Sequence, residues 1–320
     1  MTIDFTRRMM LGALPAFGLA GVASAQTTGS RIVTPAEPEV GDMLDAWVDM
    51  YGRPTANVML NGKGPFKFMV DTGSSATVIA ERHLTTLAAP EVGVATVAGT
   101  TGMAQAPVAL INKVQTGVVT KSDLRVAVLK DQNLLDLDGI LGADVFAGYR
   151  LNFNIREKTV RVESTRRLAR ATSIVNMRVR NGLLAEIDGK VGSVNAKLML
   201  DTGAQTCIAN RALSAALFKK HPKLMRIDNV QIYGVTGHSI VGEYINLPRV
   251  NLRAFSVDDA GCVAADAPVF DLWKLNEEPA MIVGVTVLSR LNSFSIDYGA
   301  RVFDAALLSD LMAQNMAAQG

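Results

Sequence analysis

Two segments of this chain, 130 residues apart, share one pattern: "KFMVDTGSSATVI" at 67–79 and "KLMLDTGAQTCI" at 197–208. In each, an apolar run leads straight into an aspartate, Asp71 or Asp201, then Thr-Gly, after which apolar character soon resumes. An ionised carboxylate aimed at a core costs several kcal/mol unless it finds partners. The pattern is part of a longer ordered repeat. Hairpin signals, Asn61-Gly62 and Asp188-Gly189, precede the two aspartates, and Gly-x-Thr-Gly turns at 99–102 and 234–237 follow them. Further on, "DGILGADVFAGYRLNFNIREKTVRV" matches "AMIVGVTVLSRLNSFSIDYGARVF". Four correspondences in one order outrank any local reading and define two tandem units.

The organisation follows from that repeat. One unit spans 46–163 and the other 174–304, joined by the linker 164–173, whose arginines read as a solvated connection. Residues 26–45 form a polar leader, and the tail 305–320 has helical composition. Within the units, short β-rich runs alternate with Gly, Asn and Asp turns. The expected class is all-β: two similar barrel lobes paired about a pseudo-two-fold axis, with little helix.

Residues 1–25 read as an export signal, with Arg7-Arg8, an apolar run and "ASA" before Gln26. The paired arginines suggest the twin-arginine route, with the ordinary secretory route as the alternative. Pro15 and the glycines argue against a membrane anchor, so an exported, periplasmic or extracellular protein is expected. With 320 residues, 49% hydrophobic, and a formal net charge of +2, the balance implies neither a nucleic-acid partner nor a membrane surface. Cys207 and Cys262 are the only cysteines, and an oxidising compartment leaves both a disulfide and two free thiols open. No Cys/His cluster has metal-ligand spacing, and no cofactor is implied.

A single Asp-Thr-Gly ordinarily marks a turn. Two copies in matching contexts point to paired-carboxylate chemistry. Two aspartates at hydrogen-bond distance share one proton; the ionised member deprotonates water and the protonated one polarises a carbonyl. Gly73 and Gly203 then allow close backbone approach, and the Thr72 and Thr202 hydroxyls hold the facing loops. Ser74 and Ala204 occupy a small-residue slot beside the pair, with Ser74 expected to hydrogen-bond Asp71. Asp144 and Asp297 read as structural polar positions. The Gly-bracketed hairpins, with Gly99, Thr101 and Gly102 in the first unit and Tyr233, Gly234, Thr236 and Gly237 in the second, read as flaps over an extended peptide. Gly102 and Gly237 are expected to supply positive φ at the tips. Plain surface hairpins are the alternative. His83, His221 and His238 are too scattered for a metal site, and Ser74-Ser75 lacks the setting of a serine nucleophile.

The set "VDTGSS", "LDTGAQ", the two flap-like turns and the triplets Ile140-Leu141-Gly142 and Ile282-Val283-Gly284 resembles the aspartic peptidases, more closely their retropepsin-like branch than the pepsin branch. The resemblance covers most of the chain beyond the signal, and it implies that the triplets run beneath the Asp loops. Retroviral members carry an Arg after the triplet, where this chain has Ala143 and Val285. That departure fits a single chain holding both halves, hence a monomer with intramolecular lobe pairing; a homodimer pairing like lobes across chains is the alternative. Pepsin-like members carry a Tyr-Gly flap in the first lobe. Here Tyr233-Gly234 lies in the second, and Ala98-Gly99 stands in the first. The implied function is an endopeptidase acting on a peptide or protein. The competing reading is a periplasmic peptide-binding protein of the same fold with little or no turnover.

Overall fold

Residues 9–11, 43–44, 46–165, 174–180 and 183–306 are described by the computed structural model. The export signal, leader, linker and tail lie for the most part outside these described residues. Strands dominate, as the turn-punctuated β pattern implied, and they build two barrel lobes and one shared sheet.

The first lobe contains β1 (Pro54–Leu60), β2 (Lys63–Val70), β3 (Val78–Ala80), β4 (Glu91–Gly99), β5 (Gly102–Thr116), β6 (Val119–Leu129) and β7 (Gly139–Leu141). Asn61 and Gly62, both at positive φ, turn β1 into β2 as the sequence suggested. The ring runs β1–β2–β7–β3–β6–β5 and closes where Met59 and Leu60 of β1 pair with Gln115 and Val114 of β5. Closure leaves none of these six strands with a free edge along its whole length. β3 and β7 are buried on both faces, which is why "VIA" and "GIL" show no alternation.

β8 (Tyr149–Asn154) and β9 (Thr159–Ser164) leave the first lobe as a hairpin. The second lobe then repeats the first with β10 (Leu184–Val191), β11 (Val194–Leu200), β12 (Cys207–Ala209), β13 (Arg226–Gly234), β14 (Ser239–Asn246), β15 (Arg249–Asn251), β16 (Ser256–Asp258), β17 (Gly261–Ala264) and β18 (Ala280–Val283). The same alternation of parallel and antiparallel neighbours recurs through β10–β11–β18–β12–β17–β14. The chain then passes Leu247-Pro248, and β15 pairs back onto β10. The hairpin expected at Asp188-Gly189 lies elsewhere. Both residues are inside β10, and the turn is at Gly192-Ser193, with Gly192 at φ +55°. Gly189 is there for space, since a Cβ would meet Leu198 and the Asn251 carbonyl.

β19 (Ser293–Asp297) and β20 (Val302–Ala306) complete a sheet that joins the lobes, with β8 antiparallel to β19 along the seam. Phe153 stacks on Phe294 across that seam at 4.6 Å and 16°, worth about 1 kcal/mol beyond its area. Leu151, Phe153, Val162, Phe294, Ile296 and Phe303 share one apolar face. They merge with Val70, Leu141, Leu200 and Val283 into one continuous core. The lobes are thus bound by a shared sheet and a shared core, which fixes the distance between the two Asp-Thr-Gly loops. Among the described residues, no helix is long and apolar enough to cross a membrane.

Candidate active site at the lobe junction

Each aspartate sits where a buried strand ends. The Asp71 amide donates to the Leu141 carbonyl, and that of Asp201 to Val283, both at 3.0 Å. On the far side of each loop, Ala143 N–H donates to Ser74 and Val285 N–H to Ala204, both at 2.8 Å. The triplet strand therefore holds its Asp loop at both ends. Gly142 and Gly284 are required there, because a Cβ would strike the backbone of Ala76 or that of Ala204 and Thr206. The expectation that the triplets run beneath the Asp loops holds in both lobes.

The two loops interlock. Thr72 N–H donates to Thr202 Oγ1 and Thr202 N–H to Thr72 Oγ1, each at 3.1 Å. The hydroxyls in turn donate across the junction, Thr72 to Leu200 O at 2.9 Å and Thr202 to Val70 O at 2.6 Å. Four reciprocal bonds between buried groups contribute about 1 kcal/mol each and leave little freedom between the loops. Gly73 lies against the Asp201 carboxylate and Gly203 against that of Asp71, so closely that a Cβ on either glycine would overlap it.

Both carboxylates are 1% exposed. Asp71 Oδ1 accepts from Gly73 N–H at 2.8 Å, and Asp201 Oδ1 accepts from Gly203 and Ala204 N–H at 2.9 and 3.0 Å. Neither Oδ2 receives a bond from any other protein group. Each carboxylate lies against the other's loop, so the two interact electrostatically. Burial pushes both carboxyls above the ordinary carboxylate range. On Asp71 the rise is opposed by the hydrogen bond from Asp201, by the backbone donors Gly73 and Ser74, and by the Arg53 charge. Asp201 is raised further by the charge of Asp71 and by the hydrogen bond it gives up to that residue.

The flap residues gather above the junction. The tip between β4 and β5 meets the tip between β13 and β14. Thr101 Oγ1 donates to His238 O at 3.0 Å, and Thr236 Oγ1 to Gly102 O at 3.2 Å. Val235 packs with Met69, Val97, Leu134 and Ile140, so the second flap reaches onto the first lobe. Gly237 has φ +81° as expected, whereas Gly102 does not adopt positive φ. It is glycine because His238 lies against it, and Gly234 because Thr101 does. Gly99 pairs with Gly102 at the first tip; the Tyr233 hydroxyl donates to Gln231 at 2.6 Å. The Ser74 hydroxyl does not reach Asp71; it turns back to Ala76 O at 2.7 Å. His83 pairs with Asp138 away from the dyad, and both cysteines are free and buried.

Two further residues at this site carry no mark in the local sequence. Arg53 and Asp49 are both buried and joined by contacts of 2.5 and 2.7 Å. Their loop brings Gly52 against Val285 of the other lobe. An Arg-Pro pair ahead of a strand carries no functional signal by itself; its position opposite Asp71 had to come from register. Behind the dyad, a cleft of about 410 Å³ reaches Thr202 and is lined by Tyr51, Gly52, Phe153, Val285 and Phe294.

Residues 56–145 match a family model described as aspartyl protease. The span takes in most of the first lobe, from β1 through the segment after its Gly142 triplet, and includes Asp71. No curated protein matches the chain. The match supports a peptidase function at the level of class, in an all-β fold.

Proposed function

We propose that this protein is an exported aspartic endopeptidase in which Asp71 and Asp201 act as a general acid–base pair on a water. The observation that carries this reading is the dyad: two buried carboxylates, each cradled by the other's loop, with one oxygen held by backbone and one left to the pair. A carboxylate that keeps one oxygen free of donors is able to take a proton from water as it attacks a carbonyl carbon, while its protonated partner donates to the carbonyl oxygen. The substrate is an extended peptide held beneath the two flaps, whose tips must part to admit it. The reading includes removal of the signal after Ala25 and activity as a monomer, since the lobes pair within one chain.

The test is Asp71→Asn and Asp201→Asn, made separately, with cleavage of a peptide library followed from acidic to neutral pH. Each variant is expected to lose at least about 100-fold in kcat. Near wild-type turnover in either one rules out a shared dyad. The interlocked flap tips and nearly inaccessible carboxylates favour one second reading, a binding protein with little turnover. A peptide carrying a tetrahedral hydroxyl in place of its scissile carbonyl discriminates: it binds an enzyme far more tightly than the parent peptide, and a binder equally.

A further inference from the structure

The two aspartates have similar but not identical backbone donors, Gly73 for Asp71 and Gly203 with Ala204 for Asp201, and clearly unlike neighbours across the strand. In the first lobe Thr55 pairs with Met69 and Ala56 with Phe68, antiparallel. Continuing that register by two residues places Arg53 beside Asp71 on the same face. In the second lobe Glu186 pairs with Met199 and Ile187 with Leu198. The same continuation places Leu184 beside Asp201. Arg53 is 3% exposed and held by Asp49; Leu184 is 1% exposed and packs in an apolar cluster with Met199, Ala204 and Ile282. One carboxylate faces a fixed, buried cation and the other faces hydrocarbon.

We propose that Arg53 is a positioning residue that polarises the dyad, holding the negative charge on Asp71 and leaving the shared proton on Asp201. The proposal rests on the peptidase reading for its consequence, though not for its test. The other groups that bear on the pair are few. Asp49 pairs with Arg53, whose charge still favours the Asp71 anion. Tyr298, buried nearby, has its phenol pushed up by burial and by both carboxylates, and the Cys207 thiol beyond Asp201 is pushed up by burial to about 11. Both stay neutral. On the second side Glu186, two residues from Leu184, is buried and paired with Arg178 and Arg180; of the two positions directly across from the aspartates, only that of Arg53 is charged.

Roles follow. Asp71 takes a proton from water as the water oxygen bonds to the carbonyl carbon, and Asp201 gives its proton to the carbonyl oxygen. In collapse of the resulting diol, Asp71 returns its proton to the amide nitrogen and Asp201 recovers one from a hydroxyl as the C–N bond breaks. A fixed polarity makes one orientation of the peptide the productive one. Two identical subunits have no sequence difference with which to set such a polarity in the free enzyme; two unlike lobes do.

The experiment is a titration of the intact protein labelled with carboxyl-13C aspartate, the two resonances assigned from Asp71→Asn and Asp201→Asn. In wild type the lower-pH step is expected mainly on Asp71 and the higher-pH step mainly on Asp201. The double variant Asp49→Asn/Arg53→Leu removes the buried ion pair as a unit. It is expected to raise the lower step by about one pH unit or more and to spread both steps over both resonances. Arg53→Lys, which keeps the charge, is expected to retain the wild-type order. Should the double variant not fold, wild type and Arg53→Lys still decide. Asp201 titrating first in wild type, or an unchanged order in a folded double variant, overturns the proposal. Correct order in a protein that cleaves no peptide instead sinks the peptidase reading and leaves the polarisation standing.

Discussion

The lobes are alike where they touch each other and unlike one residue further out. Thr72 and Thr202, Gly73 and Gly203, and the triplet glycines occupy equivalent places with equivalent bonds. Beneath each Asp loop the chemistry then diverges. In the first lobe Gly142 N–H donates to Thr77 Oγ1, and Asp144 accepts from the Thr77 amide, the Thr77 hydroxyl and the Val145 amide. In the second, Gly284 N–H reaches Cys207 Sγ at 3.3 Å, and Thr286 Oγ1 lies 3.4 Å from the same sulfur. A charge-assisted network has a thiol–hydroxyl counterpart. The strands diverge too: the 15-residue β5 and 11-residue β6 of the first lobe are each broken in two in the second, at Leu247-Pro248 and at Asp259-Ala260. The groups that lock the two Asp loops to each other are symmetric, whereas supporting groups need only fill the same space with satisfied bonds.

Several measurements sharpen that comparison. After loss of either aspartate, the largest effect is expected from Asp144→Ala, which leaves the Thr77 amide and hydroxyl without their acceptor. A cost of about 3 kcal/mol is expected in denaturant unfolding, against about 1 kcal/mol or less for Thr286→Ala. Equal costs would mean that the two supports are equivalent after all.

The dyad itself should limit stability at neutral pH. Both carboxyls are raised in the folded state, so the folded protein binds protons more tightly than the unfolded chain. Their contribution is therefore present in full below the ordinary carboxylate pKa and is lost as pH rises through the raised values. Each unit of raised pKa amounts to about 1.4 kcal/mol. Asp201→Asn is accordingly expected to unfold at a higher temperature than wild type at pH 7, with the gap closing towards pH 4. The gain should be smaller for Asp71→Asn, whose carboxyl the Arg53 charge already favours as an anion. Calorimetry of the three proteins across this range checks both the sign and the order.

The smallest effects belong to the flaps. Thr101→Val and Thr236→Val each remove one tip-to-tip bond worth about 1 kcal/mol. Amide exchange at 234–238 should quicken about fivefold in either case. A change confined to one variant would show that a single flap carries the latch.

Much of this arrangement was legible in the chain. Asp71 and Asp201 were placed together by an ordered repeat, and the close roles of Gly73, Gly203, Thr72 and Thr202 followed from what two facing carboxylates require. Local signals misled where several positions satisfy the same rule. Asp188-Gly189 has hairpin composition, yet Gly189 is needed for close packing and Gly192 makes the turn. Gly102 looked like a positive-φ position, yet what excludes a side chain there is His238 from the opposite lobe, which no local pattern encodes.

Two barrels and a pair of carboxylates follow from the repeat alone, because a duplicated apolar–Asp-Thr-Gly pattern has few ways to bury its charge other than against its twin. Which residue stands next to each aspartate depends on strand register in the folded sheets. In the first lobe an irregularity between Val58 and Leu60 shifts the β1–β2 register by one residue, and without that shift Arg53 would not fall opposite Asp71. In the second lobe the pairing runs uninterrupted and brings Leu184 to the equivalent place. The slip absorbs the one extra residue that β2 carries before its aspartate, so register sets Arg53 and Leu184 at equivalent places, and the residue types there make one neighbour a cation and the other hydrocarbon.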